Sequence, residues 1–104
     1  MNTEPETVEP REAHELAASK QAIIVDVREA KAFAEGHIAG AINIPLGELA
    51  DRVSELPIDQ RILTSCGGGS RGPKAAALLR EHGVVADVLR GGLRGWTAAG
   101  LAVE

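Results

Sequence analysis

One short segment of the chain, CGGGSR at positions 66–71, combines a nucleophile with groups that stabilise anions. Its three consecutive glycines let successive backbone N–H groups turn toward one point, which makes a nest for an anion. Pro73 is typical of a first helical turn, so we expect a helix N-terminus directly after the loop. The amides, the helix dipole and the guanidinium of Arg71 would together lower the pKa of the Cys66 thiol. The segment therefore predicts a nucleophilic cysteine that acts on an anionic substrate.

Two plainer interpretations of this loop stay open. Glycine-rich turns between a strand and a helix also bind phosphate without catalysis, and a lone cysteine is often a small buried apolar residue. The loop lacks the Gly-Lys-Ser/Thr ending of a nucleotide-binding Walker A motif. Cys66 is the only cysteine, which excludes an internal disulfide and a zinc cluster built from cysteines.

The elements that must position the loop alternate between strand and helix along the chain. Apolar, β-branched runs predict an extended piece around Val8 and strands at 23–27, 41–44, 61–64 and 84–89. Apolar spacing and prolines predict helices from Pro10, over 30–35, 46–56 and 73–82, and around Leu93 and Trp96. This alternation is typical of a mostly parallel sheet covered by helices on both faces. Cys66 then follows a strand at the carboxyl edge of the sheet, where ligands of such folds bind.

Composition excludes several classes of function. The chain has 104 residues, a net charge of −4 and only two aromatic residues, Phe33 and Trp96, so we expect no nucleic-acid binding. No apolar run is long enough to cross a membrane. The acidic, proline-containing N-terminus does not resemble a signal peptide, and a free thiol suits a reducing compartment, so we expect a cytoplasmic protein. We expect one domain over residues 7–104 behind a flexible tail of residues 1–6.

The sequence resembles the single-domain rhodaneses, a family of sulfurtransferases. The resemblance rests on IIVDVRE at 23–29, FAEGHIAGAINIPL at 33–46, the cysteine loop, and LRGGLRGW at 89–96. It implies a central sheet of about five parallel strands between helices. It also implies that Cys66 accepts a sulfane sulfur as a persulfide, from a donor such as thiosulfate. The acceptor would be cyanide or a thiol, including a protein thiol.

The resemblance also implies roles for individual residues. Cys66 is the catalytic residue, and the residues implied in holding the substrate and the persulfide are Gly67, Gly68, Gly69, Ser70 and Arg71. Asp26 and Arg28 are implied in tying a strand end to the following loop, and His37 in ordering that loop rather than acting as a base. No metal and no cofactor are implied. The chain shows no large exposed apolar stripe, so we expect a monomer.

Two departures from the family pattern and two alternatives remain. The family often has Ser or Thr where Gly72 stands, and Gly72 before Pro73 is expected to stay out of helical geometry and loosen the loop. The neutral Gly67 and Gly68 leave the donor open, since thiosulfate-preferring members often carry a basic residue there. Related phosphatases and arsenate reductases have a loop one residue longer, which disfavours those activities. The main alternative is a binding, regulatory or redox-sensing module with little turnover.

Overall fold

A five-stranded parallel sheet forms the centre of the molecule, for which a computed structural model describes residues 4–57 and 59–104. The strands are β1 (Thr7–Val8), β2 (Ala22–Asp26), β3 (Ile42–Asn43), β4 (Arg61–Ser65) and β5 (Ala86–Leu89). Their order in the sheet is β1-β5-β4-β2-β3, and every neighbouring pair is parallel. The predicted α/β fold is confirmed. β4, which leads into Cys66, is the central strand and is buried along most of its length.

The described residues form four α-helices. They are α1 (Pro10–Ala18), α2 (Ala30–Glu35), α3 (Gly72–Glu81) and α4 (Gly92–Ala98). Of these, α1, α3 and α4 pack on the two faces of the sheet. Ala13 of α1 and Trp96 of α4 belong to one apolar cluster, and Leu79 of α3 belongs to the other. Within the described residues, no helix is both long enough and apolar enough to cross a membrane.

The α-helix predicted over residues 46–56 is wrong. The chain forms two 3₁₀ segments there, Leu46–Glu48 and Ala50–Glu55, which are closed by hydrogen bonds between residues three apart. Leu49 and Leu56 are buried as the apolar spacing predicts. A spacing of three residues places side chains on one face of either helix type, and the one step of four begins at Leu49, at the junction of the two segments. The pattern therefore predicted the buried face and not the winding of the backbone.

A buried carboxylate, Asp87 of β5, ties α3 to the sheet. Its oxygens accept hydrogen bonds from Nε of Arg61 on β4 and Nη2 of Arg80 on α3, each at 2.7 Å. The backbone N–H of Glu6 donates to it at 2.7 Å as well. Burial by itself raises the pKa of Asp87, but the Glu6 amide and the two guanidinium groups outweigh it and hold the pKa below its ordinary value. Through Asp87, these contacts hold β4, β5 and the residue before β1 to α3.

Glu6, the last residue of the expected tail, is hydrogen bonded to β5. Residues 1–3 of the predicted tail lie outside the described residues. Glu6, which the sequence placed in the tail, is held at the sheet by the Asp87 contact and by a hydrogen bond of 2.8 Å from the Val88 N–H to its carbonyl. Hydrogen bonding to β5 therefore extends one residue beyond the first strand.

Replacing Asp87 by Asn is expected to lower the free energy of unfolding by about 2 kcal/mol, because two partly exposed guanidinium groups lose their charged partner. Since folding lowers the pKa of Asp87, its charge stabilises the fold fully above the unfolded pKa, and this contribution is lost as pH falls through the folded pKa. Urea unfolding at about pH 7 and at about pH 2 measures both effects. Asp51→Asn, at an exposed carboxylate, is the control. A destabilisation by Asp87→Asn that is equally large at both pH values would contradict this assignment.

Candidate active site

Cys66 lies at the carboxyl edge of the sheet, directly after the last residue of β4. The loop from Cys66 to Arg71 joins this central strand to α3, which begins at Gly72. The cysteine is 1% exposed, so its sulfur lies inside the loop rather than on its surface. A buried strand followed by a loop and a helix N-terminus is the arrangement that the sequence predicts.

The sulfur of Cys66 accepts two backbone hydrogen bonds from its own loop. The N–H of Gly69 donates to Sγ at 3.0 Å, and the N–H of Arg71 donates at 3.3 Å. Gly69 has a φ of +96°, which a residue with a side chain rarely adopts. That conformation lets the loop close around the sulfur.

These amides favour the thiolate form of Cys66. Burial by itself raises the pKa of the thiol, but the backbone amides of Arg71, Gly72, Gly69 and Gly68 outweigh it, and the pKa is lowered. The predicted set of amides ran from Gly67 to Arg71. The two amides that hydrogen bond to Sγ, those of Gly69 and Arg71, belong to that set. The amide of Gly72, at the start of α3, adds to the lowering of the pKa of Cys66.

The guanidinium of Arg71 donates no hydrogen bond to Sγ. Arg71 contacts Sγ through its backbone N–H, and its half-buried side chain makes no hydrogen bond or ion pair with any described residue. Ser70 is exposed and its hydroxyl makes no hydrogen bond within the described part of the chain. Both side chains are therefore free to meet a substrate.

Gly72 is helical, contrary to the expectation that Pro73 would keep it out of α3. The steric conflict before a proline involves the Cβ of the preceding residue, and glycine has none. A Cβ at this position would lie 3.1 Å from Cγ1 of Val88. The hydroxyl of Thr64, on β4, donates to the Gly72 carbonyl at 2.7 Å. Thr64 thus fastens the end of the loop, where the family often has a hydroxyl at position 72.

Asp26 and Arg28 form a buried ion pair beneath the loop. Nη2 of Arg28 donates to Oδ2 of Asp26 and to the carbonyl of Gly36, each at 2.7 Å. The hydrogen bonds to Asp26 raise the pKa of Arg28, and the charge of Cys66 raises it by a smaller amount. Cδ of Arg28 lies 3.9 Å from the position of a Cβ on Gly67. The pair ties the end of β2 to the next loop, and its cation also acts on the cysteine.

His37 is held by contacts away from the cysteine. Its Nδ1 lies 2.8 Å from the Phe33 carbonyl, and its ring stacks on the Phe33 ring with centroids 3.7 Å apart. Its Nε2 lies 3.5 Å from Oε1 of Glu104. None of these contacts involves the loop, so the structure does not place His37 as a base for Cys66.

The sequence argument missed how closely α4 meets the loop. The N–H of Leu93 donates to the Cys66 carbonyl at 2.7 Å, and the N–H of Arg94 donates to the Gly67 carbonyl at 3.0 Å. Gly92 has a φ of +56°, and a Cβ there would lie 2.2 Å from the Cys66 carbonyl oxygen. The adjacent glycines at 91 and 92, directly before a helix, were the available signal for this contact.

The arrangement provides a thiolate nucleophile held by N–H donors. No histidine among the described residues hydrogen bonds to Sγ. Residues 4–57 and 59–104 contain no group of three His, Cys, Asp or Glu side chains placed to hold a metal ion. Backbone amides donate to Sγ, and the charge of the Arg28 guanidinium also acts on Cys66.

Comparison with known proteins identifies relatives over nearly the whole chain. A family model described as a rhodanese-like domain matches residues 9–99. The HTH-type transcriptional regulator Rv0324 of Mycobacterium tuberculosis is 39% identical over 104 residues, which cover 98% of this chain and 43% of the regulator. Thiosulfate sulfurtransferase GlpE of Pseudomonas putida GB-1 is 37% identical over 93 residues, covering 88% of this chain and 84% of that protein. This chain thus spans less than half of the regulator and most of the transferase.

Solved structures share the fold. The crystal structure of a rhodanese-related protein from Thermoplasma volcanium superimposes with a TM-score of 0.87 at 28% identity. The match covers 95% of this chain and 97% of that one. The likeness extends over the sheet, the cysteine loop and the helices that flank it.

We expect the pKa of Cys66 in the folded protein to lie below that of the same thiol in urea, because four loop amides stabilise the thiolate more than burial destabilises it. Cys66 is the only thiol, so ultraviolet absorbance of the thiolate during a pH titration reports it alone. Cys66→Ser supplies the baseline. A folded pKa at or above the unfolded one would show that burial dominates.

Gly92→Ala is expected to lower the free energy of unfolding by about 3 kcal/mol, because the new Cβ would overlap the Cys66 carbonyl and push α4 off the loop. Gly100→Ala is the matched control: Gly100 also has a positive φ, +79°, but nothing lies within 4 Å of its Cβ position. That variant should lose about 1 kcal/mol from backbone strain alone. If urea unfolding gave the two variants equal losses of unfolding free energy, the overlap with the Cys66 carbonyl would not be destabilising.

Proposed function

Because the chain belongs to the rhodanese-like domain family, we propose that it is a sulfurtransferase that carries a sulfane sulfur as a persulfide on Cys66. The donor is thiosulfate or a similar anion, and the acceptor is cyanide or a thiol, including a protein thiol. The observation that carries the proposal is the hydrogen bonding of Sγ by the N–H groups of Gly69 and Arg71.

In the first step the Cys66 thiolate attacks the outer sulfur of thiosulfate. A bond forms between Sγ and that sulfur, the sulfur–sulfur bond of thiosulfate breaks, and its electron pair leaves with sulfite. The charges balance, since a thiolate and a thiosulfate dianion become a persulfide anion and a sulfite dianion. No proton moves, so the step needs no general base, and the absence of a histidine at Sγ is compatible with it.

In the second step the acceptor removes the outer sulfur. Cyanide attacks it, the bond between the two sulfurs breaks, and the electron pair returns to Sγ as thiolate while thiocyanate leaves. The loop amides that hold the thiolate are placed to hold the persulfide anion as well, in the manner of an oxyanion hole. The free guanidinium of Arg71 is assigned to the anionic end of the donor.

A regulatory module is the second candidate, and the relationship to the transcriptional regulator favours it. That regulator is more than twice as long as the segment this chain matches, and its other part lies outside the match. In such a module Cys66 would be modified but would turn over poorly. Turnover with a small donor and a small acceptor separates the two candidates.

The test is the intact mass of the protein before and after brief treatment with thiosulfate. We expect the wild-type chain to gain one sulfur atom and to lose it again when cyanide is added. Cys66→Ser should gain nothing, because the chain has no other thiol. Continuous formation of thiocyanate under excess donor and acceptor then measures turnover.

Each outcome assigns the function. Sulfur gain that requires Cys66, followed by multiple turnovers, supports the transferase. Sulfur gain without turnover favours the regulatory module. Sulfur gain by Cys66→Ser, or no gain by the wild-type chain with thiosulfate, would contradict the proposed persulfide route.

A further inference from the structure

An arginine from outside the cysteine loop lies beside the first residues after Cys66. Arg94 is on α4, and its backbone N–H donates to the Gly67 carbonyl at 3.0 Å. Its guanidinium carbon Cζ and its Nη1 each lie 3.8 Å from the position that a Cβ on Gly68 would take. The charged end of Arg94 therefore sits beside the second residue after Cys66.

This cation forms no ion pair with a described residue. Arg94 is exposed, and no carboxylate in the described part of the chain pairs with its guanidinium. Two other arginines near the loop differ in this respect. Arg28 is paired with Asp26, and Arg90, four residues before Arg94, is paired with Glu9. The charge of Arg94 is therefore available to a ligand that enters the loop.

We propose that Arg94 binds the oxygen atoms of the donor's anionic end and makes the site selective for sulfonate-type donors such as thiosulfate. This inference rests on the proposed transfer of sulfur by Cys66. Arg94 takes no part in making or breaking bonds. Its planar guanidinium matches two oxygens of a sulfonate group, while the outer sulfur is presented to Sγ. Arg71 supplies a second free guanidinium from the far end of the same loop.

The glycines at the start of the loop make room for this arrangement. Gly67 and Gly68 carry no charge, and a longer side chain at Gly68 would occupy the space beside the Arg94 guanidinium. The positive charge beside the start of the loop thus comes from Arg94 of α4 and not from a loop residue. If this is its role, a lysine placed at position 68 should replace the charge of Arg94.

Steady-state kinetics with thiosulfate and cyanide test the assignment. Arg94→Gln is expected to raise KM for thiosulfate about tenfold with kcat changed less than about twofold, because a charge-assisted contact to the bound donor is lost. Arg94→Lys should retain much of the affinity. Adding Gly68→Lys to Arg94→Gln should bring KM back toward the wild-type value, which a merely structural role of Arg94 does not predict.

Lys20→Gln is the charge-matched control. Lys20 precedes β2, whereas Cys66 follows β4, so this change removes one positive charge from the opposite edge of the sheet, about 20 Å away. It should leave KM unchanged. An equal effect of the two variants would mean that only net charge matters and would overturn the assignment.

A second readout does not depend on turnover. The rate of Cys66 alkylation by the anion iodoacetate, divided by the rate with neutral iodoacetamide, reports the positive field at the sulfur. Arg94→Gln should lower this ratio severalfold, and raising the salt concentration should lower it in the wild-type chain more than in the variant.

The two readouts separate this inference from the proposed function. If the wild-type chain forms no persulfide, the proposed function fails, and the alkylation ratio still decides whether Arg94 attracts anions to Cys66. An unchanged ratio in Arg94→Gln overturns the assignment even if the persulfide forms. A fall in kcat that follows a loss of thermal stability, with KM unchanged, would also overturn it.

Discussion

The stabilisation of a buried negative sulfur is the interaction on which the rest of the site depends. Cys66 is almost fully buried, and burial alone would favour its neutral thiol. The N–H groups of Gly69 and Arg71 donate to Sγ, and together with the amides of Gly68 and Gly72 they reverse that preference. Placing these amides around Sγ requires a positive φ at Gly69 and a helix that begins at Gly72. It also requires that α4 lie close enough to donate hydrogen bonds to the loop carbonyls. Each of these features serves the same sulfur.

The carboxylate partners of the arginines divide them by role. Arg28 is neutralised by buried Asp26, and Arg61 and Arg80 share Asp87, so these cations hold strands and helices together. Arg71 and Arg94 have no carboxylate partner in the described part of the chain, and both belong to segments that border the cysteine. An unpaired cation beside a thiolate increases the local concentration of anions. The same residue type therefore stabilises the fold at one place and is available to substrate at another.

The glycines illustrate how far local sequence reasoning reaches. Three adjacent glycines after a strand predicted an anion nest, because that conformational freedom is local to the loop. The close packing of Gly92 against the Cys66 carbonyl could not be predicted in the same way, since the two residues are 26 positions apart in the sequence. Gly72 shows the opposite error. Its local signal, a following proline, predicted a break, but glycine lacks the Cβ that conflicts with the proline ring, and the Thr64 hydroxyl donates to its carbonyl.

The sequence by itself determined the alternating strands and helices, the parallel sheet, the family and the position of Cys66 at the carboxyl edge of a central strand. These follow from apolar periodicity and short motifs, which are properties of neighbouring residues. Only the tertiary structure decided which amides face the sulfur, that residues 46–56 wind as 3₁₀ segments, and that Arg94 reaches Gly68. Those outcomes depend on distances between segments remote in the chain. Such distances are set by how closely α4 and α3 pack on the sheet, and no local pattern encodes them.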